Sequence, residues 1–190
     1  MANPALSQLC ALGAAQPESH VIAGIAIVED PSLAMASLAV RVGQDRAVAA
    51  AIKNLTGLAL PGPGGLAVAG DWAAFWTSPG QWMLTAPHAT HEDIAARIKA
   101  AVGAAASITD QTDGWVRFDL TGARLPDMLE RLCNADVRAM QGGQATRCQI
   151  EHLGTFLLCH RSGEAFSALT LRSGARSMMH ALETAAKSLS

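Results

Sequence analysis

One order of elements is read twice along the 190-residue chain, and it constrains the fold more than any single motif. In residues 19–104 the apolar pattern runs strand, strand, helix, loop, three strands, helix, and residues 105–190 run through the same order. In the first half, Val21 to Glu29 reads as a buried strand ended by Asp30-Pro31. Ser37 to Val42 alternates Leu38, Val40 and Val42 with small or polar neighbours, the period of a half-buried strand. Asp45 to Leu55 switches to helical spacing, with Val48, Ile52 and Leu55 on one face, and Gly57 suits the left-handed residue that ends such a helix. Pro61-Gly62-Pro63-Gly64-Gly65 is a loop, read as flexible. Strands follow at Leu66 to Ala69, Trp72 to Thr77 and Gln81 to Ala86, the last two joined by the turn signal Ser78-Pro79-Gly80. His91 to Val102 closes the half as a helix with Glu92 and Asp93 in its first turn, where they suit the dipole.

The second half gives strands at Ser107 to Gln111 and Trp115 to Leu120, split by Asp113-Gly114. A helix at Ala123 to Cys133 tolerates Pro126 in its first turn. Strands fit Ala145 to Glu151, Thr155 to His160 and Ala165 to Leu171, before a last helix, Gly174 to Ser188, with Ser173 placed as its N-cap. The helical faces Val48/Ile52/Leu55 and Leu125/Leu129/Leu132 superpose at one constant offset, as an internal duplication requires. Neither half looks self-sufficient, so residues 19–190 are expected to form a single intertwined pseudo-symmetric α+β domain. Residues 1–18 are an arm with a short helix near Leu6 to Leu12.

Composition excludes several function classes. Charged residues are 16% of the chain and the net charge is −2, which leaves no electrostatic footprint for nucleic acid or anionic lipid. Half the residues are apolar, but a fifth of the chain is alanine, so the hydrophobic payload is ordinary. The first basic residue is Arg41, and the longest uncharged apolar run, Val21 to Val28, is far short of the about 18–20 residues of a spanning helix. No export signal and no membrane span are expected. The four cysteines form no CxxC pair and read as reduced, mostly buried thiols of a cytoplasmic protein.

Several residue groups invite a chemical reading. Asp110 and Asp113 flank a turn beside Trp115, and Asp-Gly is foremost a turn former. His88 and His91 fall at a loop-to-helix junction and read as solvated. Cys148, His152, Cys159 and His160 are potential metal ligands or nucleophiles, with a Cys148/His160 contact conceivable across the hairpin, but they fall on two strands rather than on a tight loop. The glycine-rich loop lacks the pattern of a phosphate or dinucleotide site, and no G-x-S-x-G elbow occurs. No catalytic, cofactor-binding or metal residue is therefore assigned. The aromatics carry more information. Trp72 and Trp76 point to one face of their strand and Phe75 to the other, with Trp82 on the hairpin partner, so both faces need cover from the chain's own helices or from a partner. Trp72, Phe75, Trp76 and Trp82 are the candidate partner interface.

From Thr109-Asp110-Gln111-Thr112-Asp113-Gly114-Trp115-Val116-Arg117-Phe118 through Leu120-Thr121-Gly122, Leu129-Glu130-Arg131-Leu132-Cys133-Asn134-Ala135-Asp136-Val137 and Arg147-Cys148-Gln149-Ile150-Glu151-His152, the chain resembles the gamma subunit of heterotetrameric sarcosine oxidase. Phe75-Trp76-Thr77-Ser78-Pro79-Gly80-Gln81-Trp82-Met83-Leu84 resembles that family's W-x-x-P-x-x-W-L signature, and Leu171-Arg172-Ser173-Gly174-Ala175-Arg176-Ser177 its R-S-x-A-x-S segment. The likeness spans residues 20–188. More distantly, Gly122, Asn134, Asp136-Val137, Gly142 and Gly154 resemble the folate-binding domain of the glycine-cleavage T-protein aminomethyltransferases. That domain is itself two β2-α-β3-α units with exchanged first strands, so the resemblance implies a folate-binding-domain-like fold here.

In the aminomethyltransferases an acidic pair that carries the one-carbon chemistry follows the glycine matching Gly154. Here Thr155, Phe156, Leu157, Leu158 and Cys159 follow, with no carboxylate to act as acid or base. The resemblance thus implies a non-catalytic subunit supporting assembly and stability of a complex that oxidatively demethylates sarcosine to glycine, passes the one-carbon unit to tetrahydrofolate and forms hydrogen peroxide. Its partners would be the alpha, beta and delta subunits, which hold the FAD, FMN, NAD, zinc and tetrahydrofolate sites. The alternative reading is a free-standing folate-binding or folate-dependent one-carbon protein of the same fold.

Overall fold

The structure, a computed structural model, describes residues 9–190. In chain order its elements are β1 (Ser19–Ile22), β2 (Ile25–Glu29), β3 (Leu33–Val40), α1 (Asp45–Thr56), β4 (Leu66–Ala69), β5 (Trp72–Ser78), β6 (Gln81–Pro87), α2 (His88–His91) and α3 (Ile94–Val102). The second half supplies β7 (Ala106–Asp110), β8 (Trp115–Thr121), α4 (Leu125–Leu129), β9 (Gln144–Ile150), β10 (Leu153–Arg161), β11 (Ala165–Leu171) and α5 (Ala175–Lys187). Two antiparallel sheets form, in the orders β1-β2-β8-β11-β10-β9 and β4-β5-β6-β3-β7. The six-stranded sheet joins β8 and the β9–β11 meander of the second repeat to the β1–β2 hairpin of the first, and the five-stranded sheet joins β3 and the β4–β6 meander of the first repeat to β7 of the second. β2 pairs with β8 from Ala26↔Thr121 to Glu29↔Phe118, and β7 pairs with β3 from Ala36↔Asp110 to Val40↔Ala106.

The alternation of each strand sorts its side chains between two covers. On β8, Val116, Phe118 and Leu120 face a core shared with α4 and α5, while Trp115 packs with the core between the sheets. On the other sheet Leu38, Ala74 and Leu84 meet Val48 and Ile52 of α1 and Ile94 and Ile98 of α3. Met35, Phe75 and Met83 from one sheet and Phe156, Leu158 and Leu169 from the other fill the interior between them, with the Phe75 and Phe156 rings 5.2 Å apart. The layers are therefore helix, sheet, sheet, helix. A reciprocal pair of hydrogen bonds joins the equivalent loops of the repeats: Leu66 N–H donates to Gly143 O, and Ala145 N–H to Gly64 O, both at 2.8 Å. The glycine-rich loop is thus tethered where a flexible one was expected, and the indole Nε1 of Trp82 also donates to Pro61 O at 2.8 Å.

Several boundaries differ from the sequence reading. Val21 to Glu29 is two strands, because Ala23 (φ 50°) and Gly24 (φ 75°) make a two-residue hairpin turn inside the apolar run. Leu55 is 37% exposed, and Thr56 takes its place on the buried face of α1, its hydroxyl donating to Ile52 O at 2.7 Å. Gly57 does end that helix in the left-handed conformation. The helix expected from His91 starts at Ile94, after the separate turn α2. α4 stops at Leu129 and turns carry the chain through Leu132 and Cys133. Ser173 lies inside a 3₁₀ turn, and Gly174 takes the N-cap position of α5.

In the arm, the helix expected near Leu6 to Leu12 lies in part outside the described residues, and Leu9 to Leu12 is not helical. This segment is held down: Glu29, 2% exposed, accepts from Leu12 N–H at 3.1 Å and Glu18 N–H at 3.2 Å, and Arg176 donates to Leu12 O at 2.7 Å. Among the described residues no helix is long and apolar enough to cross a membrane.

Candidate functional site

The β5–β6 hairpin holds all four aromatics of the expected interface. Trp72 enters the α1/α3 core at 8% exposure, and its ring meets His91 edge-on at 4.8 Å. Phe75, on the opposite face, is 1% exposed in the intersheet core. The doubly loaded strand is thus covered on one face by the chain's own helices and on the other by its second sheet. Trp76 stands opposite Trp82 across the ladder, and these two keep partial exposure. Of the four, only this pair retains surface for a partner. His91, expected in solvent, is buried beneath Trp72, with Thr90 Oγ1 2.8 Å from its Nδ1.

The Cys148, His152, Cys159 and His160 group is dispersed by the alternation of β9 and β10. Cys148 stands opposite Thr155 at one end of the ladder and Cys159 opposite Gln144 at the other, so the Cys148/His160 contact is not made. Both thiols face the α4/α5 core. His152 is exposed in the hairpin turn, where Glu151 (φ 47°) and His152 (φ 68°) are both left-handed. Among the described residues, no group of three or more His, Cys, Asp or Glu is placed to hold a metal ion.

His160 instead ends a polar chain that sequence reasoning missed. Its Nε2 lies 2.6 Å from Ser167 Oγ, which donates to Asp119 Oδ1 at 2.6 Å, and Arg117 Nε donates to the same oxygen at 2.6 Å. Asp30 stands 3.6 Å from that guanidinium. Although His160 keeps an exposed side, the packing around its ring and then the Arg117 charge hold it below its ordinary range, with Asp119 opposing. Here the serine stands between imidazole and carboxylate, whereas in a hydrolytic triad the imidazole stands between serine and carboxylate. Ser167 is fully buried and gives its proton to Asp119, so this arrangement does not generate a nucleophile. A sequence signal for it did exist: Arg117, Asp119 and Ser167 are polar residues on the intersheet side of otherwise apolar strands.

A cavity of about 630 Å³ opens between the arm and the junction of the repeats, bordered by Asp30, His88, Glu92, Asp113 and Arg172. Asp110 shapes the adjoining turn by accepting from Thr112 N–H at 2.8 Å. Downstream of Gly154, Thr155 to Cys159 all lie within β10, none more than 7% exposed. The strand that the aminomethyltransferase resemblance would load with carboxylates is packed as apolar core.

Two face-to-face antiparallel sheets, one completed by the β1–β2 hairpin and the other by β7 of the opposite repeat, place the chain among α+β proteins of the folate-binding-domain-like class. A chain of the heterotetrameric sarcosine oxidase from Corynebacterium sp. U-96, solved in complex with pyrrole 2-carboxylate, superposes with a TM-score of 0.77 at 19% identity, covering 90% of this chain and 88% of that one. The glycine cleavage system aminomethyltransferase T from Bartonella henselae superposes with a TM-score of 0.63 at 13% identity, over 86% of this chain and 46% of that one. The chain belongs to the sarcosine oxidase, gamma subunit family, whose sequence profile matches residues 42–180. No curated protein matches the chain in sequence.

Proposed function

We propose that the chain is the gamma subunit of a heterotetrameric sarcosine oxidase and acts there in assembly and stability rather than in the chemistry. Family membership over residues 42–180 carries this reading, and the fold shared with a chain of a heterotetrameric sarcosine oxidase supports it. The non-catalytic role is supported by β10, where buried Thr155 to Cys159 leave no carboxylate next to Gly154. The complex would demethylate sarcosine oxidatively to glycine, transfer the one-carbon unit to tetrahydrofolate and release hydrogen peroxide. FAD, FMN, NAD, zinc and tetrahydrofolate would belong to its alpha, beta and delta subunits, and the assembly would work in the cytoplasm.

Co-expression of this chain with its neighbouring genes, followed by size-exclusion chromatography, tests the proposal. The expected product is a yellow, flavin-absorbing complex of high mass that loses mass or dissociates when this chain is left out. A stable, colourless monomer that binds tetrahydrofolate at micromolar concentration overturns it in favour of a free-standing folate protein.

A further inference from the structure

Four thiols are present and none is in a disulfide, yet two of them are neighbours. Cys133 lies after α4 and Cys148 on β9, and the two line one cavity at the edge of the α4/α5 core. Cys133 is half-buried and Cys148 is 7% exposed. The shared cavity, about 810 Å³ in volume, also presents Arg131, Arg147 and His152, so a small polar oxidant can reach the two thiols. As a thiol, Cys133 donates to Leu129 O at 3.4 Å. The other two thiols lie elsewhere: Cys159 is fully buried and points at Met140 O, 3.8 Å away, and Cys10 lies in the arm near Glu29.

We propose that Cys133 and Cys148 form a reversible dithiol/disulfide pair oxidised by a hydroperoxide, with Cys133 the attacking sulfur and Cys148 the resolving one. In the first step the Cys133 thiolate attacks one oxygen of H2O2. An S–O bond forms, the O–O bond breaks, and the hydroxide released takes a proton and leaves as water. Cys133 is now a sulfenic acid, oxidised by two electrons as the peroxide is reduced. In the second step Cys148 gives up its proton and attacks the Cys133 sulfur. The S–S bond forms, the S–O bond breaks, and the hydroxyl leaves with that proton as a second water. Two thiols and one H2O2 thus become one disulfide and two waters.

The acidities agree with this division of labour. The neighbouring Cys148 thiol, then the Ala135 N–H, brings Cys133 down to about 7 against the resistance of burial. The same pairing and burial push Cys148 up, while burial also raises Cys10 and Cys159. Cys133 alone is a ready thiolate near neutral pH, and nucleophilic attack on peroxide requires the thiolate. The inference rests on the thiols and not on the proposed function, although a complex that releases H2O2 would supply the oxidant.

The full chain, reduced and then treated with H2O2 near pH 7, tests it directly. Of the four thiols, two should disappear on titration after denaturation, with a mass loss of about 2 Da and full recovery with dithiothreitol. Peptide mapping should join Cys133 to Cys148, and because Cys159 shares a tryptic peptide with Cys148, the Cys159→Ala variant should still form the bond. Cys148→Ala should stop at a Cys133 sulfenic acid that dimedone traps, and Cys133→Ser should leave Cys148 reduced. Alkylation by iodoacetamide should label Cys133 first, with a pH midpoint near 7. Four intact thiols in the wild-type chain, or a disulfide that joins a different pair, overturns the proposal whatever the variants do.

Discussion

His160 shows how one side chain acquires its behaviour from three strands. β10 carries it, β11 supplies the Ser167 hydroxyl, and β8 supplies Asp119 and Arg117. The packing around its ring and the guanidinium disfavour the imidazolium in the folded chain, so the folded histidine resists protonation below its ordinary value of 6.5. As pH falls through about 6.5 the unfolded chain takes up a proton there that the folded chain refuses. The unfolded state then binds more protons, and stability falls with acid. Urea midpoints measured at pH 8 and pH 5.5 should fall further for the wild type than for His160→Gln; equal losses would exclude His160 as a source of the acid sensitivity. Gly122 is set by geometry of another kind. Its φ is 148°, and a Cβ there would lie 2.6 Å from Gly24 O and 3.0 Å from Ile25 Cα. The close approach of the β1–β2 turn to the end of β8 therefore requires a residue without a side chain. Nothing in the local sequence around Gly122 shows this, because the colliding backbone is far away in the chain.

At the scale of elements, periodicity located nearly every strand, and the misses have local causes. Ala-Gly lacks the usual Asn-Gly or Asp-Gly turn signature, so the β1–β2 hairpin stayed hidden in a continuous apolar run. Leu132 keeps helical spacing with Leu129, but the helix ends at Leu129 and turns carry the chain on. The exchange of β2 and β7 has a larger consequence. Cut at the repeat boundary, residues 19–104 would keep β4, β5, β6 and β3 but lose β7, and β2 would have no β8 to pair with. Ile25 and Ile27, fully buried in the intact chain, would be left in water, a loss of about 1.5–3 kcal/mol for each. Residues 19–104 and 105–190, each expressed alone, should lack a cooperative unfolding transition by circular dichroism and regain it when mixed or co-expressed. A cooperative monomeric half would show that the exchanged strands are dispensable.

For the whole molecule, the 16% charged content takes on a more local meaning. The aromatic strand that called for cover on both faces receives it from the chain itself, at Trp72 from the helices and at Phe75 from the second sheet. What remains for a neighbour on this hairpin is the Trp76–Trp82 pair beside the tethered Pro61 loop. If this pair contacts another subunit of the proposed complex, Trp76→Ala should weaken retention of the chain by at least about tenfold, which corresponds to about 1.4 kcal/mol. Retention can be read by dilution and mass photometry, and an unchanged complex would remove the hairpin from the interface. Trp76 suits this measurement better than Trp82, whose indole also anchors the chain's own loop.

The order of strands and helices, the doubled arrangement, the family resemblance and the lack of a carboxylate after Gly154 are all written in the residues themselves. All of these depend on residue identity and on periods of two or 3.6 residues, which are local properties. It took the packed molecule to show which strands pair across the repeats, that Ser167 links His160 to Asp119, that His91 lies under Trp72, and that Cys133 and Cys148 share one cavity. These contacts join residues on different elements. Local spacing leaves such contacts open, and they are settled when two sheets and their helices pack against one another at close to crystal density.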